Sequence, residues 1–365
     1  MPIYMDVHIV PGVKARNVAE AHQKDLAHQE EYGCKCMTYW IDEQRESIFC
    51  LIEASDKDMV QEMHSKAHGL IPHKIIEVNS SVVESFLGRI YDPEDAENAA
   101  DGLKVFADPS FRILLVTQTM DPVLLQHEFG NDRAAELTRL HSSVVRKHAP
   151  LHAGKEVEHN GDGFILSFTS ARNAVACALA IQNELPDQFI KESNFRMGLN
   201  AGEPIEKSNE LFGDTIQLAT HLCSIALGRQ IALASRVREL VAKDIESNGK
   251  HFATLSLSDE QTVRELFNKL EESWQDSEFD IPEYCQGMAM SKSQLYRKTI
   301  TLTGLSPNIL LKDFRLDKAR KLMKKKRYSI AQITFDSGFT SPSYFTKCFK
   351  KKFGLLPMAY LDLLH

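Results

Sequence analysis

Between residues 280 and 365 one design is written twice. DIPEYCQGMAMSKSQLYRKTITLTGLSP and SIAQITFDSGFTSPSYFTKCFKKKFGLLP each give a short helix, a turn holding a glycine (Gly287, Gly338) and a second helix. Each second helix is closed by Gly-x-x-Pro, Gly304 to Pro307 and Gly354 to Pro357. The stretch DFRLDKARKLMKKK between them is an amphipathic linking helix. This end is also basic. Residues 285–365 hold 16 Lys and Arg against four Asp (Asp313, Asp317, Asp336, Asp362), a net of +12. Residues 1–284 hold 27 basic and 46 acidic residues, a net of −19. An acidic body with a basic end implies a polyanion partner there, and charge alone admits nucleic acid or a membrane surface.

The doubled motif decides between them, because it resembles the AraC-type DNA-binding domain over about 85 residues. The resemblance rests on Arg315-Leu316, Ala319, the Ser329-Ile330 helix start, Gly338-Phe339, Tyr344-Phe345, Phe349-Lys350 and Gly354 with Pro357. It implies two recognition helices starting near Ser291 and Ser341, whose N-terminal halves meet base edges while their flanks bind phosphate. Groove-facing positions then fall on Ser293, Gln294 and Arg297 in the first helix, and on Ser343, Tyr344, Thr346 and Lys347 in the second. Arg297 suits guanine and Gln294 adenine; Lys350, with Lys351 and Lys352, is expected at phosphates. Thr299-Ile300-Thr301 departs from the aromatic and lysine usual in the family, so the first helix is expected to read less. The implied partner is double-stranded DNA.

At 365 residues the chain has room for two or three domains. No apolar run approaches the roughly 20 residues of a membrane span. Seven cysteines, at 34, 36, 50, 177, 223, 285 and 348, make no even disulfide framework, which fits a reducing cytoplasm.

Residues 111–242 read as an α/β sandwich. A strand, FRILLVTQTM, precedes a long helix, a hairpin around Gly161-Asp162-Gly163, the helix SARNAVACALAIQNEL, the strand FRMGLNAG, the helix DTIQLATHLCSIA and the strand RQIALAS. This order, with HAGKEVEHNGDGFILSF, resembles class III nucleotide cyclases. Such enzymes hold two Mg²⁺ ions on two aspartates, and an Asn and an Arg stabilise the transition state. Asp162 matches the hairpin aspartate. The first-strand aspartate falls near Thr117, a poor Mg²⁺ ligand, and Asp121, four residues on, is expected not to reach the same place. Gln217 and His221 stand at the Asn and Arg positions, and Glu158 at the base-selecting position. The expectation is an inactive domain with a vestigial nucleotide and metal site at Glu158 and Asp162, and no nucleotide cofactor. The rival is an active guanylate or adenylate cyclase with an appended DNA-binding domain.

Residues 1–79 follow a β-α-β-β-α-β order, the ferredoxin-like pattern. Tyr4, Asp6 and His8 alternate onto one strand face. His64 and His68 share one helix face, and His22 and Asp25 lie on the other helix. MDVH, VAEAHQKDL, YWIDE, FCLIEA and HSKAHG, in this order and spacing, resemble a small family of nickel-binding ferredoxin-like proteins. The expected metal ligands are Asp6, His8, His22, His64 and His68. Nickel is the first expectation, with zinc or copper also suited to imidazole and carboxylate. His28 and His73 are expected at the surface, and Cys34, Cys36 and Cys50 in the core.

The expected architecture is therefore a multidomain α+β chain. A ferredoxin-like domain (1–79), a linker (80–110), a cyclase-like α/β sandwich (111–242), a connector (243–279) and an all-α double helix-turn-helix domain (280–365) follow in order. The expected function is a cytoplasmic one-component transcriptional regulator, a homodimer with no membrane attachment, sensing a metal ion or small-molecule effector.

Overall fold

The computed structural model describes every residue except 95, 99–101, 227, 243–248, 326–328 and 365. Parts of the expected linker and connector, and the end of the linking helix at 326, thus lie outside the described residues. The chain is multidomain α+β, with sheets in its first two parts and helices alone at the C-terminal end.

Strands β1 (Ile3–Ile9), β2 (Lys35–Asp42), β3 (Ser47–Glu53) and β4 (Lys74–Val78) form an antiparallel sheet in the order β2-β3-β1-β4. Helices α1 (Ala15–His28) and α2 (Lys57–Ala67) cross one face, α2 starting where the Asp56 carboxylate accepts the amides of Asp58 and Met59. Strand alternation sends Tyr4, Tyr39, Ile48 and Ile52 towards those helices. It sends Met5, Val7, Trp40, Phe49 and Leu51 to the opposite face. That second face is also buried, against Val83, Phe86 and Leu87 of helix α3 (Ser80–Leu87) and against Leu114 and Phe212 further along the chain.

The segment after α3 carries two short strands, β5 (Glu97–Asn98) and β6 (Lys104–Val105). Leu103 and Phe106 join the core under α1 and α2, with Phe106 stacked on Tyr39 at 4.1 Å. Arg89 holds this strap through Asp108 (2.9 Å) and the carbonyl of Tyr39 (2.6 Å).

A second sheet has the order β12-β11-β10-β7-β9-β8. Its strands are β7 (Arg112–Gln118), β8 (Lys155–His159), β9 (Gly163–Phe168), β10 (Arg196–Gly202), β11 (Ile231–Leu233) and β12 (Phe252–Thr254). Pairing is antiparallel except where β10, β11 and β12 run parallel. Between them come α4 (Pro122–Phe129), α5 (Asn131–Leu151), α6 (Ala171–Glu184), α7 (Asp187–Glu192), α8 (Gly213–Ile225) and α9 (Ser235–Leu240). One sheet face packs on α5 and α6, and α8 lies across the other. Gly198 of β10 makes the α8 packing possible: a Cβ there would stand 2.3 Å from the Ala219 carbonyl oxygen and 2.5 Å from the Cys223 nitrogen.

Among the described residues seven helices follow: α10 (Leu257–Ser273), α11 (Ile281–Gly287), α12 (Lys292–Thr303), α13 (Pro307–Lys325), α14 (Ile330–Asp336), α15 (Pro342–Phe353) and α16 (Pro357–Leu364). They enclose two cores joined by α13. Leu310 and Leu311 sit with α10, Tyr284 and Leu295 in the first. Leu316, Ala319 and Met323 sit with Phe345, Phe349 and Tyr360 in the second. Gly304 and Gly354 end α12 and α15 in left-handed conformations, φ 73° and 82°. The two turns differ. Gly338 has φ 74°, but Gly287 is the last residue of α11 and the left-handed residue of its turn is Ala289, φ 49°.

Gly198→Ala should destabilise the chain by about 1–3 kcal/mol, because its methyl meets helix backbone that cannot rotate away. Urea denaturation followed by far-ultraviolet circular dichroism checks this as a lowered midpoint.

Candidate metal centre and nucleic-acid interface

In the first sheet, β1 and the two helices bring their polar residues to one point. His64, wholly buried, donates from Nε2 to Asp6 Oδ2 at 2.9 Å and from Nδ1 to Asp25 Oδ1 at 3.1 Å. His68 Nε2 stands 3.1 Å from the same Asp25 oxygen and 3.0 Å from His64 Nδ1. The Leu70 amide donates to His68 Nδ1 at 3.1 Å, which puts the His68 proton on Nε2. His8 Nε2 lies 3.2 Å from Asp6 Oδ1. Among the described residues, Asp6 Oδ1 and His8 Nδ1 have no hydrogen-bond partner although both are buried. Buried polar atoms without partners cost stability unless something supplies them.

Burial alone would lower the His64 pKa, but the Asp6 charge and the hydrogen bonds to both carboxylates raise it to about 10. Burial likewise opposes ionisation of Asp6 and Asp25, and the histidines outweigh it and hold both carboxyls below their usual range. A proton on His64 thus bridges two carboxylates, where an ion would otherwise neutralise them. Two sets of donor atoms, each within 4.8 Å of one another, surround this point: Asp6, His8, Cys50 and His64, and Asp25, His64 and His68. The carboxylate and imidazole donors and the unpartnered atoms fit a first-row divalent ion.

His22 departs from the expectation. Its Nε2 pairs with Asp92 Oδ2 at 3.2 Å and its ring packs on Tyr39, so it ties α1 to the strap. Asp25, one helical turn on, reaches the cluster instead. Cys50 lies in the core as expected, and directly opposite Asp6 in the β1–β3 register. That register was the available signal. His28 is half-buried with Nδ1 on the Lys24 carbonyl, and His73 is exposed and accepts the Ile9 amide.

In the second sheet the Thr117 hydroxyl is buried, 3.1 Å from His141 Nε2 and accepting the Phe164 amide at 3.2 Å. Burial lowers the His141 pKa to about 3, so that imidazole is neutral. His221 is neutral for the same reason, also at about 3, and stacks on Phe267 of α10 at 4.3 Å. Gln217 is half-buried and Glu158 exposed on β8. Asp121 corrects the expectation of its reach. The Thr119 amide donates to the Asp162 carbonyl at 2.7 Å, which continues the β7–β9 pairing by one step before α4 begins. Asp121 Oδ2 then pairs with Arg320 and Lys324 of α13 and accepts Tyr360 Oη at 3.2 Å. Asp162 Oδ2 lies 3.7 Å from the same Arg320 nitrogen. The two carboxylates share one guanidinium supplied by the helical end of the chain.

At that end, Ser291 and Ser341 cap α12 and α15 as expected. Ser293, Gln294, Arg297, Ser343, Tyr344, Lys347 and Lys350 are exposed, and Thr346 is half-buried. The Gln294 side-chain oxygen already accepts the Ser291 amide at 2.9 Å, so contact with adenine would compete with the cap. Lys352 is spent internally, on Asp317 at 2.6 Å and the Asp313 carbonyl at 2.7 Å. Lys350 and the exposed Lys351 remain for phosphate. Arg315 holds the turn of α10 into α11 through the carbonyls of Trp274 and Phe279.

Residues 284–362 match a helix-turn-helix domain family, and residues 4–78 match the family described as nickel responsive protein SCO4226-like. The C-terminal end is thus similar to helix-turn-helix domains and the N-terminal end to SCO4226-like proteins. The chain is similar to the HTH-type transcriptional regulator MtrA of Neisseria gonorrhoeae, 26% identical over 56% of this chain and 65% of that protein. A Rhizobium meliloti protein bearing an adenylate cyclase name is 31% identical over 25% of this chain and 16% of its own length. The solved SCO4226 of Streptomyces coelicolor is 32% identical, covering 21% of this chain and 94% of that one, with a TM-score of 0.20. The chain spans less than two thirds of the length of the first curated relatives it matches, from 9% to 65%. No helix among the described residues is long and apolar enough to cross a membrane.

Two outcomes follow from the geometry. The raised His64 pKa contributes stability that is complete below the unfolded value of about 6.5 and is lost as pH rises towards about 10. Calorimetry of the metal-free chain should show its N-terminal transition falling over that window, while affinity for Ni²⁺ rises as the competing proton leaves. Asp121→Asn should cost about 3–5 kcal/mol by leaving Arg320 buried and under-compensated. Small-angle scattering should then report a larger radius of gyration as α13 to α16 loosen from α4.

Proposed function

We propose that this protein is a one-component transcriptional regulator. Its AraC-type domain binds double-stranded DNA, and its SCO4226-like domain binds a divalent transition metal or small effector that governs this binding. The observation carrying the reading is the pair of capped helices, α12 and α15, that turn Arg297, Lys347 and Lys350 outward on the chain's basic end. Helices of this kind enter the major groove by their N-terminal halves, with flanking cations on phosphate.

The ion would be held by His64 either with Asp6 and His8 or, on the other edge of its ring, with Asp25 and His68, and is nickel in the first instance, with zinc or copper as alternatives. It would supply positive charge between carboxylates that a proton on His64 now bridges. The cyclase-like domain is catalytically inactive and binds no nucleotide. Support comes from Thr117, whose hydroxyl is used inside the fold, and from Arg320, which neutralises Asp121 and Asp162. A guanidinium on both carboxylates opposes the binding of two Mg²⁺ ions there. The protein works in the cytoplasm as a homodimer joined through its first 240 residues, presenting two basic domains to repeated half-sites.

The full-length chain should bind duplex DNA with an affinity that falls steeply with salt. Arg297→Ala and Lys347→Ala should each weaken binding to the selected site by about 1–3 kcal/mol and relax sequence preference. Selection from a random duplex pool, followed by titration with and without Ni²⁺, measures both. Unchanged affinity and preference in both variants would remove the groove assignment. Turnover of ATP or GTP with Mn²⁺ would replace this reading with the cyclase one.

A further inference from the structure

The face of β3 that meets α1 and α2 carries Ile48, Cys50 and Ile52. Ile48 and Ile52 are the apolar residues that a strand under two helices calls for. Cys50 sits between them, yet its position differs from theirs, because the residue directly opposite it is Asp6 rather than Tyr4 or His8. Directly opposed residues of an antiparallel pair point to the same side with their Cβ atoms about 4.5–5.5 Å apart. The thiol therefore stands against the carboxylate at the centre of the polar cluster, and it is buried. Its sulfur, one Asp6 oxygen, one His8 nitrogen and one His64 nitrogen all lie within 4.8 Å of one another. Ligand atoms about 2.0–2.3 Å from a common ion stand at most about 4.6 Å apart, so shifts of a few tenths of an ångström would close the set. The other two thiols of this domain lie outside it. Cys36 Sγ contacts Met63 Sδ at 3.7 Å, and Cys34 Sγ lies 3.6 Å from the Tyr32 carbonyl.

We propose that Cys50 Sγ is a ligand of the transition-metal ion in this cluster, with Asp6, His8 and His64, so that the ion sits in a thiolate-containing site. This rests on the reading of the cluster as a metal centre and adds the donor that fixes its chemical character. Coordination replaces the S–H bond by a sulfur–metal bond, and the proton leaves to solvent. A thiolate selects against Mg²⁺ and Ca²⁺, which take oxygen ligands, and favours Zn²⁺, Ni²⁺ and Co²⁺. The strand pairing carries the consequence further. The residues flanking Cys50 on β3, Phe49 and Leu51, face away from the helices and pack towards α3, Leu114 and Phe212. The metal-binding strand is thus in direct covalent register with the surface that meets the rest of the chain.

The test uses the full-length chain, loaded separately with Ni²⁺ and Co²⁺ and measured for metal content, absorption spectrum and X-ray absorption at the metal edge. One ion per chain, a thiolate-to-metal charge-transfer band and a sulfur scatterer in the first shell are expected in the unmodified protein. Cys50→Ser should lose the band and bind about tenfold or more weakly, whereas Cys36→Ser should keep both. Substituting His64 and His68 together by Ala should abolish binding. X-ray absorption on the unmodified protein decides the matter even if Cys50→Ser fails to fold. One bound ion with only nitrogen and oxygen scatterers overturns the thiolate ligand and leaves the metal centre standing. No bound ion at neutral pH overturns both.

Discussion

A carboxylate with almost no exposure to water, Asp121, lies at the junction where two independently recognisable parts of the chain meet. Its Oδ1 caps α4 by accepting the Val123 amide, and its Oδ2 receives Arg320, Lys324 and Tyr360 from the helical end. Around it Met120, Val123 and Leu124 fill the core of the second helix-turn-helix unit. A buried charge of this kind tolerates no vacancy, because loss of either partner leaves the other desolvated and uncompensated. The second unit is therefore held by the cyclase-like domain, while the first is held by α10 through Val263, Leu266 and Leu270. The relative setting of the two recognition helices depends on both attachments as well as on α13.

The same arrangement accounts for what became of the cyclase-like face. Asp162 keeps its hairpin, but its countercharge is now a guanidinium of the chain's own basic end. His221 is covered by Phe267 of the connector helix. Two positions that the cyclase resemblance assigns to chemistry now serve attachment of the C-terminal helices, and Thr117 serves internal packing. The acidic body and basic end seen in the charge distribution meet here in a small, largely buried ion cluster.

How much of this was legible beforehand varies with the kind of interaction involved. The three folds followed from local patterns: the alternation of Tyr4, Asp6 and His8, the Gly-Asp-Gly hairpin, and the serine caps at 291 and 341. Asp6, His8, His64 and His68 were found because strand and helix periodicities put each pair on one face. Cys50 needed the pairing of two strands, and Asp25 the packing of α1 on α2, neither of which a single element's period contains. His22 was misplaced for the same reason, since Asp92 lies 70 residues away in a strap with no strong pattern of its own. Asp121 was expected not to reach the place of the first-strand aspartate, and its pairing with Arg320, 199 residues away, is not contained in the pattern of β7. Gly287 was expected in its turn, but it ends α11, and the left-handed residue there is Ala289.

The first sheet is buried on both faces, and this bears on how such a chain can evolve. Its three parts carry the marks of separate families, which suggests modules exchanged like interchangeable cassettes. Met5, Val7, Phe49, Leu51 and Ile76 do not permit free exchange, since they form a greasy seam with Phe86, Leu114 and Phe212. A donor domain spliced into this position must bring a matching apolar surface as well as its own ligand pocket. Recombination among such proteins should therefore leave the seam and its neighbours inherited together, even where the histidine–carboxylate cluster and the exposed faces of α12 and α15 diverge.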